Sequence, residues 1–278
     1  MPTIVQAAFL GVVQGLTEFL PVSSSAHLIL ARAVFGWDAD QFGLAFDVAC
    51  HIGTLIAVAV YFRQEMTSMV SALPDLFHPG SAQEEPGRDG HQWARLIWLL
   101  VVATVPAVIV GLLFGHQIKD HLRTPQVAAA TLAAGALGMV LAERSGHQTR
   151  SDWSLTMIDA FWVGGAQALA LIPGVSRSGV TLTVALLIGL RRAAAARFIF
   201  LLSIPAILAA AANEMPELVK AGVEGNAAML ILVAILSSAV VSYATVKYFI
   251  HYLSDHSLNG FAWYRLALAG AVAVWLAR

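Results

Sequence analysis

Apolar runs of nearly membrane-crossing length alternate with short polar breaks along this chain. "WLLVVATVPAVIVGLLF" (Trp98–Phe114), "VAAATLAAGALGMVLA" (Val127–Ala142), "AAMLILVAILSSAVVSYATV" (Ala227–Val246) and "FAWYRLALAGAVAVWLA" (Phe261–Ala277) stand out. Each approaches the roughly 20 residues that carry a helix across a bilayer core. The pattern predicts an all-α polytopic membrane protein with about six spans, near 44–62, 95–115, 126–143, 195–212, 227–250 and 261–277. The longest break, Pro74–Gln92, is rich in Pro, Gly and charge and reads as an exposed loop. Shorter breaks are expected at His116–Pro125, Glu143–Asp152, Asn213–Asn226 and His251–Asn259.

Residues 2–36 and 156–190 do not fit as simple spans, because "LPVSSS" and "IPGVSRSG" interrupt them midway. Proline removes a backbone donor and pushes the preceding residue out of helical geometry. Interrupted backbone at membrane depth is tolerated only where protein or a wet cavity surrounds it. Both regions are therefore expected to be re-entrant helical hairpins. They also resemble each other: Gly11 and Gln14 match Gly164 and Gln167 at an offset of 153, while Pro21 and Ser24 match Pro173 and Ser176 at 152. Three spans between the hairpins would reverse the second copy, giving an inverted repeat (about 2–143 and 156–277) within one integral membrane domain over 1–278. Such repeats commonly build a site near the midplane from broken helices.

Composition agrees: 58% of residues are hydrophobic and 12% charged, against about 25% charge in soluble domains, and mean hydropathy is +0.74. A net charge of −1 gives no case for nucleic acid, and the single Cys50 excludes an intrachain disulfide or a cysteine-rich metal site. Met1–Leu10 lacks a basic leader, so no cleavable secretory segment is expected. Under this topology ten cations (Arg63, Arg88, Arg95, Arg144, Arg150, Arg191, Arg192, Arg197, Lys247, Arg265) fall on one side and five (Arg32, Lys119, Arg123, Lys220, Arg278) on the other. The positive-inside bias then puts Pro74–Gln92 in the cytoplasm and the mouth of the first hairpin outside.

The polar residues inside the broken segments carry the chemistry. Gln14 and Glu18, four apart, share a helix face. A carboxylate near the membrane centre costs about 2.5–3.5 kcal/mol and calls for a function or a partner. Ser23, Ser24 and Ser25 follow Pro21 at a helix start; one serves as the N-cap, and three exceed what a cap needs. His27 lies three residues after Ser24, on the same side of the first turn. In "PGVSRSGVT", Arg177 is flanked by Ser176 and Ser178, with Thr181 beyond. A helix start with an arginine fork suits phosphate oxygens, whereas a structural pairing of Arg177 with Glu18 is the plain alternative. Tip-to-tip hairpins would form a pocket for a phosphorylated group attached to lipid.

"GLTEFLPVSSSAH" and "PGVSRSGVT" resemble the bacterial undecaprenyl-diphosphatase family of the bacitracin-resistance type, and the similarity runs over essentially the whole chain. The resemblance implies a multi-pass enzyme of the bacterial inner (cytoplasmic) membrane. Its activity would convert undecaprenyl diphosphate to undecaprenyl phosphate and inorganic phosphate outside the membrane, recycling the peptidoglycan lipid carrier and conferring bacitracin resistance. It further implies a divalent metal, Mg2+ or Ca2+, with Glu18 as a metal ligand. Glu18, His27, Ser24 and Arg177 take catalytic positions, and Gln14, Ser23, Ser25, Ser176, Ser178 and Thr181 line the substrate. Gln14 stands where many members carry a second glutamate, which disfavours a tightly held metal pair; Asp47 is a further acidic candidate. Partners implied are a polyprenyl diphosphate and the bilayer, with a homodimer as a candidate assembly.

Two mechanisms follow. Ser24 attacks phosphorus with His27 as base, or Glu18 and a metal activate water; the shared face of Ser24 and His27 favours the first. A lipid-phosphate transporter or flippase built on the same inverted repeat is the chief rival. The acid-phosphatase-like class is a weaker one. It needs a downstream histidine paired with an aspartate, and only His251 with Asp255, expected in a loop, offers that spacing.

Overall fold

The computed structural model describes residues 3–37, 44–76, 90–221 and 227–277. Most of the expected loop, Arg88 within it and Arg278 lie outside these residues, as do the side chains of Lys119 and Lys220. The described chain is helical throughout its elements: α1 (Ile4–Thr17), α2 (Ser24–Phe35), α3 (Leu44–Tyr61), α4 (Arg63–Ser71), α5 (Gly90–Leu122), α6 (Pro125–Ser145), α7 (Met157–Leu169), α8 (Arg177–Leu187), α9 (Arg192–Ala221), α10 (Ala227–Asp255) and α11 (Asn259–Leu276). Four of them, α5, α6, α9 and α10, are long and apolar enough to cross a membrane alone, and α3 joins them when counted with α4, which bends away by 76°. The α11 helix occupies the last expected span but falls outside that count. The protein is an all-α polytopic membrane protein.

Both interrupted regions form paired short helices. A 14-residue helix such as α1 rises about 21 Å, short of the roughly 30 Å hydrocarbon core. The α1 and α2 helices pack on each other, as do α7 and α8. The first helix of each pair opens with the same device, a capping box from Thr3 and Gln6 in α1 and from Thr156 and Asp159 in α7. Each second helix opens from a serine with positive φ, Ser23 at 74° and Ser176 at 70°. Because these two serines are equivalent, the hairpins align at an offset of 153 through their tips. Ser24 therefore matches Arg177, not Ser176 as the prolines suggest; Gly174, at φ 89°, supplies the extra residue after Pro173.

Small residues let the hairpins approach the long helices. The α1 helix lies on α10 and α7 lies on α5. Gly11 and Gly15 face Ser237 and Ser238 of α10, and Gly164 faces the backbone of Ala103 in α5. Lipid gives helices no hydrophobic reason to associate, so such close backbone contact carries the packing. The outward faces stay apolar, with Leu112, Ile158, Trp162, Val240 and Trp263 exposed.

The structure corrects several boundaries. The α5 helix runs through His116 to Leu122, well into the expected break, and contains Pro106 without interruption. His251 and Asp255 lie on the last turns of α10, not in a loop. Arg265 is fully buried, so it is no surface cation and leaves the charge tally.

Close approach at Gly164 is testable. A Cβ there would lie 2.6 Å from the Ala103 carbonyl oxygen, whereas one at Gly165 meets nothing within 4 Å. Gly164→Ala is expected to destabilise by about 1–3 kcal/mol, and Gly165→Ala to be neutral or slightly stabilising, read as melting temperature in detergent.

Candidate active site

The two hairpin tips meet. Glu18 closes the last turn of α1 and is 6% exposed. Its Oε1 accepts from Arg177 Nη2 at 2.7 Å. Its Oε2 accepts from Gln14 Nε2 at 2.8 Å and from Ser24 Oγ at 2.6 Å. Every carboxylate oxygen thus has a donor, the arrangement that makes a buried charge tolerable. Ser24 and Arg177 each begin a helix, α2 and α8, and approach Glu18 from opposite hairpins.

Further contacts lock the tips together. Ser178 donates to the Leu20 carbonyl at 2.9 Å, and the Gly174 amide donates to Ser25 Oγ at 3.4 Å. Arg265 of α11 holds both tips at once. Its guanidinium donates to the carbonyls of Pro21, Gly174 and Val175 and of Leu132 and Thr131, at 3.1–3.2 Å. Glycines make room for it: a Cβ at Gly135 or Gly179 would lie 2.2 or 2.6 Å from a guanidinium nitrogen. Among the described residues Arg265 has no carboxylate partner. Carbonyl dipoles alone offset its burial, and its positive charge stays at the tips.

A cavity of about 350 Å³ opens beside Glu18, within the range of small-molecule sites. Ser23, Ser24, Ser25, Ser176 and Arg177 line it together with Glu18. Its apolar wall comes largely from α5 and α9, including Val108, Leu112 and Ile207, while Asp47, His51 and Arg123 add polar groups to the lining. A polar end and an apolar wall suit a charged headgroup carried on a hydrocarbon chain.

Other sequence candidates are placed differently. His27 does not line the cavity. Its Nδ1 donates to the Ser23 carbonyl at 2.7 Å, and its Nε2 pairs with Tyr264 Oη at 2.6 Å. With both nitrogens engaged, the expected Ser24–His27 pair is not formed, and Ser24 is bonded to Glu18 instead. Ser23 and Ser176 are the N-caps, accepting from the amides of Ala26 and Gly179. Thr181 returns its hydroxyl to the Arg177 carbonyl at 2.6 Å. Gln14, Ser178 and Thr181 are buried and lie outside the cavity lining. Asp47 reaches the cavity but is already bonded by Arg32 and Arg123.

His51 of α3 was not singled out by sequence reasoning. Its Nδ1 donates to the Asp47 carbonyl at 2.7 Å, and its Nε2 faces Glu18 Oε2 at 3.6 Å. Its signal was its place one turn after Asp47 in an apolar run. Arg265 also had a signal, an arginine inside an apolar span.

Among the described residues, no three His, Cys, Asp or Glu side chains gather as a metal cluster. One hard cation is nevertheless compatible with the oxygens present. Gln14 Oε1, buried next to Glu18, has no hydrogen-bond partner among the described residues. With Glu18 and Ser24 it offers the sparse oxygen set that Mg2+ completes with substrate phosphate.

Fold and site together define a polytopic membrane protein with a cavity that is polar at the hairpin tips and apolar along its walls. The family profile described as bacitracin resistance protein BacA matches residues 7–271. The chain is 44% identical over 276 residues to the undecaprenyl-diphosphatase of Rubrobacter xylanophilus, covering 99% of each chain. It is 46% identical over 275 residues to undecaprenyl-diphosphatase 2 of Stutzerimonas stutzeri, covering 98% of this chain and 97% of that one. The undecaprenyl-diphosphatase of Thioalkalivibrio sulfidiphilus is 44% identical, with 98% of both chains covered. The chain belongs to the BacA family and is a phosphatase.

The Arg265 clamp is testable. Arg265→Met leaves several buried carbonyls without this donor and is expected to destabilise by about 1–3 kcal/mol or more, the cost of an unsatisfied buried acceptor, with Arg265→Lys intermediate. Thermal unfolding in detergent measures both; equal melting temperatures would contradict the clamp.

Proposed function

We propose that the protein hydrolyses undecaprenyl diphosphate to undecaprenyl phosphate and inorganic phosphate. The reaction takes place at the outer face of the bacterial cytoplasmic membrane, recycles the peptidoglycan lipid carrier and protects against bacitracin. The observation that carries this reading is the Glu18–Arg177 pair with Ser24 on the same carboxylate, at the polar end of an apolar-walled cavity. The relatives' printed names supply the substrate. The charge bias supplies the orientation.

In the mechanism, Arg177 exchanges its bond to Glu18 for the oxygens of the terminal phosphoryl group, where its fork offsets developing charge. Freed of that partner, Glu18 is a stronger acceptor for the Ser24 proton. Ser24 Oγ forms a bond to phosphorus as the anhydride bond breaks, and the prenyl monophosphate departs with the electron pair. Glu18 passes the Ser24 proton to the departing prenyl monophosphate and, as carboxylate again, takes a proton from water, whose oxygen attacks the seryl phosphate. Inorganic phosphate leaves and Ser24 Oγ regains the proton from Glu18. A single Mg2+ or Ca2+, held by Glu18 with Gln14 Oε1 and Ser24 in reach, would neutralise phosphoryl oxygens. In this scheme His27 acts on the Ser23 carbonyl and Tyr264, fixing the start of α2 and its contact with α11.

A second reading, transport of lipid phosphate, draws on the matched helix pairing: α1 packs on α10 as α7 packs on α5. That pairing is what an inverted repeat over residues 2–143 and 156–277 would produce, and such repeats are frequent in transporters.

Phosphate release from a long-chain prenyl diphosphate by purified protein tests both. Wild type is expected to release phosphate and to lose most activity with chelator. Glu18→Gln and Ser24→Ala are each expected to fall about 10²–10⁴-fold. A Ser24→Ala protein retaining most turnover would eliminate the covalent route, and metal-independent release unaltered by Glu18→Gln would remove the assignment. Lipid binding with no release would favour transport.

A further inference from the structure

Arg123 lies in the connection between α5 and α6 and lines the same cavity as Glu18, Ser24 and Arg177. Its side chain is 34% exposed, while its partner Asp47 is 8% exposed. Asp47 does not need Arg123 for neutrality. Arg32, itself buried, already spans the carboxylate with both terminal nitrogens, bonding Oδ1 and reaching Oδ2 at 3.2 Å. Arg123 touches Oδ2 with Nη2 alone. Two guanidiniums thus share one carboxylate and one positive charge is left over. Among the described residues, the other N–H groups of Arg123 have no protein acceptor. Arg32 Nε is likewise buried without a partner. Among the described residues, this corner of the cavity has more donors and more positive charge than their acceptors and carboxylates satisfy.

Its place in the same cavity lining as the reacting groups suits a second phosphoryl group. Asp47 and His51 are one helical turn apart on α3, about 6 Å of rise, and His51 Nε2 is 3.6 Å from Glu18 Oε2. Arg177 and Arg123 therefore stand at the two ends of a polar strip running Glu18, His51, Asp47. A diphosphate has a phosphoryl group at each end and accepts charge-assisted hydrogen bonds of about 2.8 Å beyond both. A diphosphate held at Arg177 extends its second phosphoryl group along this strip toward Arg123, and a monophosphate does not.

We infer that Arg123, aimed by Asp47, is the second phosphate-binding group of the cavity. It holds the phosphoryl group that stays with the lipid and so selects a prenyl diphosphate over a prenyl monophosphate. The inference rests on the phosphatase reading and deepens it. Asp47 serves as the anchor for the guanidinium, and the exchange of that anchor for a phosphate oxygen matches the exchange at Glu18 and Arg177. The product, reduced to one phosphate, loses its second grip and dissociates.

The test uses the full-length protein in nanodiscs, with phosphate release from a prenyl diphosphate as readout. The inhibitors are a methylene-bridged prenyl diphosphonate and a prenyl monophosphonate. Arg123→Gln is expected to weaken the diphosphonate about 10–100-fold and the monophosphonate by less than about three-fold, since only one charge-assisted contact is lost. Arg123→Lys keeps the charge but loses the fork, and is expected to show the same ordering at about five-fold. It remains informative should Arg123→Gln fail to fold. Equal weakening of both inhibitors, or no change in either, overturns the inference. Wild-type protein that releases no phosphate contradicts the phosphatase reading itself, whereas active wild type with unaltered variants contradicts only the role of Arg123.

Discussion

A carboxylate and a guanidinium persist at membrane depth because each answers the other. Either alone would cost about 2.5–3.5 kcal/mol on insertion scales, and breaking a buried pair costs about 3–5 kcal/mol. Glu18 and Arg177 come from hairpins 159 residues apart in sequence and meet at 2.7 Å. That contact explains why both broken segments must point inward and why their tips must touch. In the proposed mechanism it is also the contact that is exchanged: an incoming phosphoryl group replaces Glu18 on Arg177 and leaves the carboxylate free to take a proton. The pair that makes the interior tolerable is the pair proposed to do the chemistry.

Holding the tips in register is a separate task. Ser23 and Ser176 both adopt positive φ, a conformation that disfavours side chains by about 1–3 kcal/mol. Arg265 and the links from Ser178 and Ser25 oppose that strain by tying each tip to the other. The absence of a carboxylate beside Arg265, among the described residues, has a functional consequence. Its charge adds to the positive field at the tips, where an anion is to bind. Among the described residues the same surplus recurs at Arg123 and Arg32, and in the proposed scheme both ends of the polar strip attract phosphate while the α5 and α9 walls receive hydrocarbon.

Much of this was legible from residue patterns. Apolar length marked the six long helices, and Pro21 and Pro173 marked the two interruptions, because proline near Gly and Ser leaves helix ends that only a protein interior accepts. Pro106, set in an unbroken apolar run, did not interrupt α5. Helix ends were less legible, since α5 and α10 continue as polar helix well into the expected breaks. At the site, Glu18, Ser24 and Arg177 were recognisable as polar groups without a reason to be buried. The Ser24–His27 pairing was not correct, because spacing gives a shared face but not the partner each ring nitrogen finds; the Ser23 carbonyl and Tyr264, 237 residues away, claim His27. Tertiary neighbours also decided Arg265, His51 and Arg123, whose roles depend on backbone carbonyls and side chains from distant helices.

The most direct measurement is an experimental structure with a non-hydrolysable prenyl diphosphate bound. The account expects the terminal phosphorus to lie within reach of Ser24 Oγ, with Arg177 turned from Glu18 onto its oxygens and the prenyl chain leaving along α5 and α9. A headgroup bound away from the hairpin tips, with the Glu18–Arg177 contact intact, would contradict it.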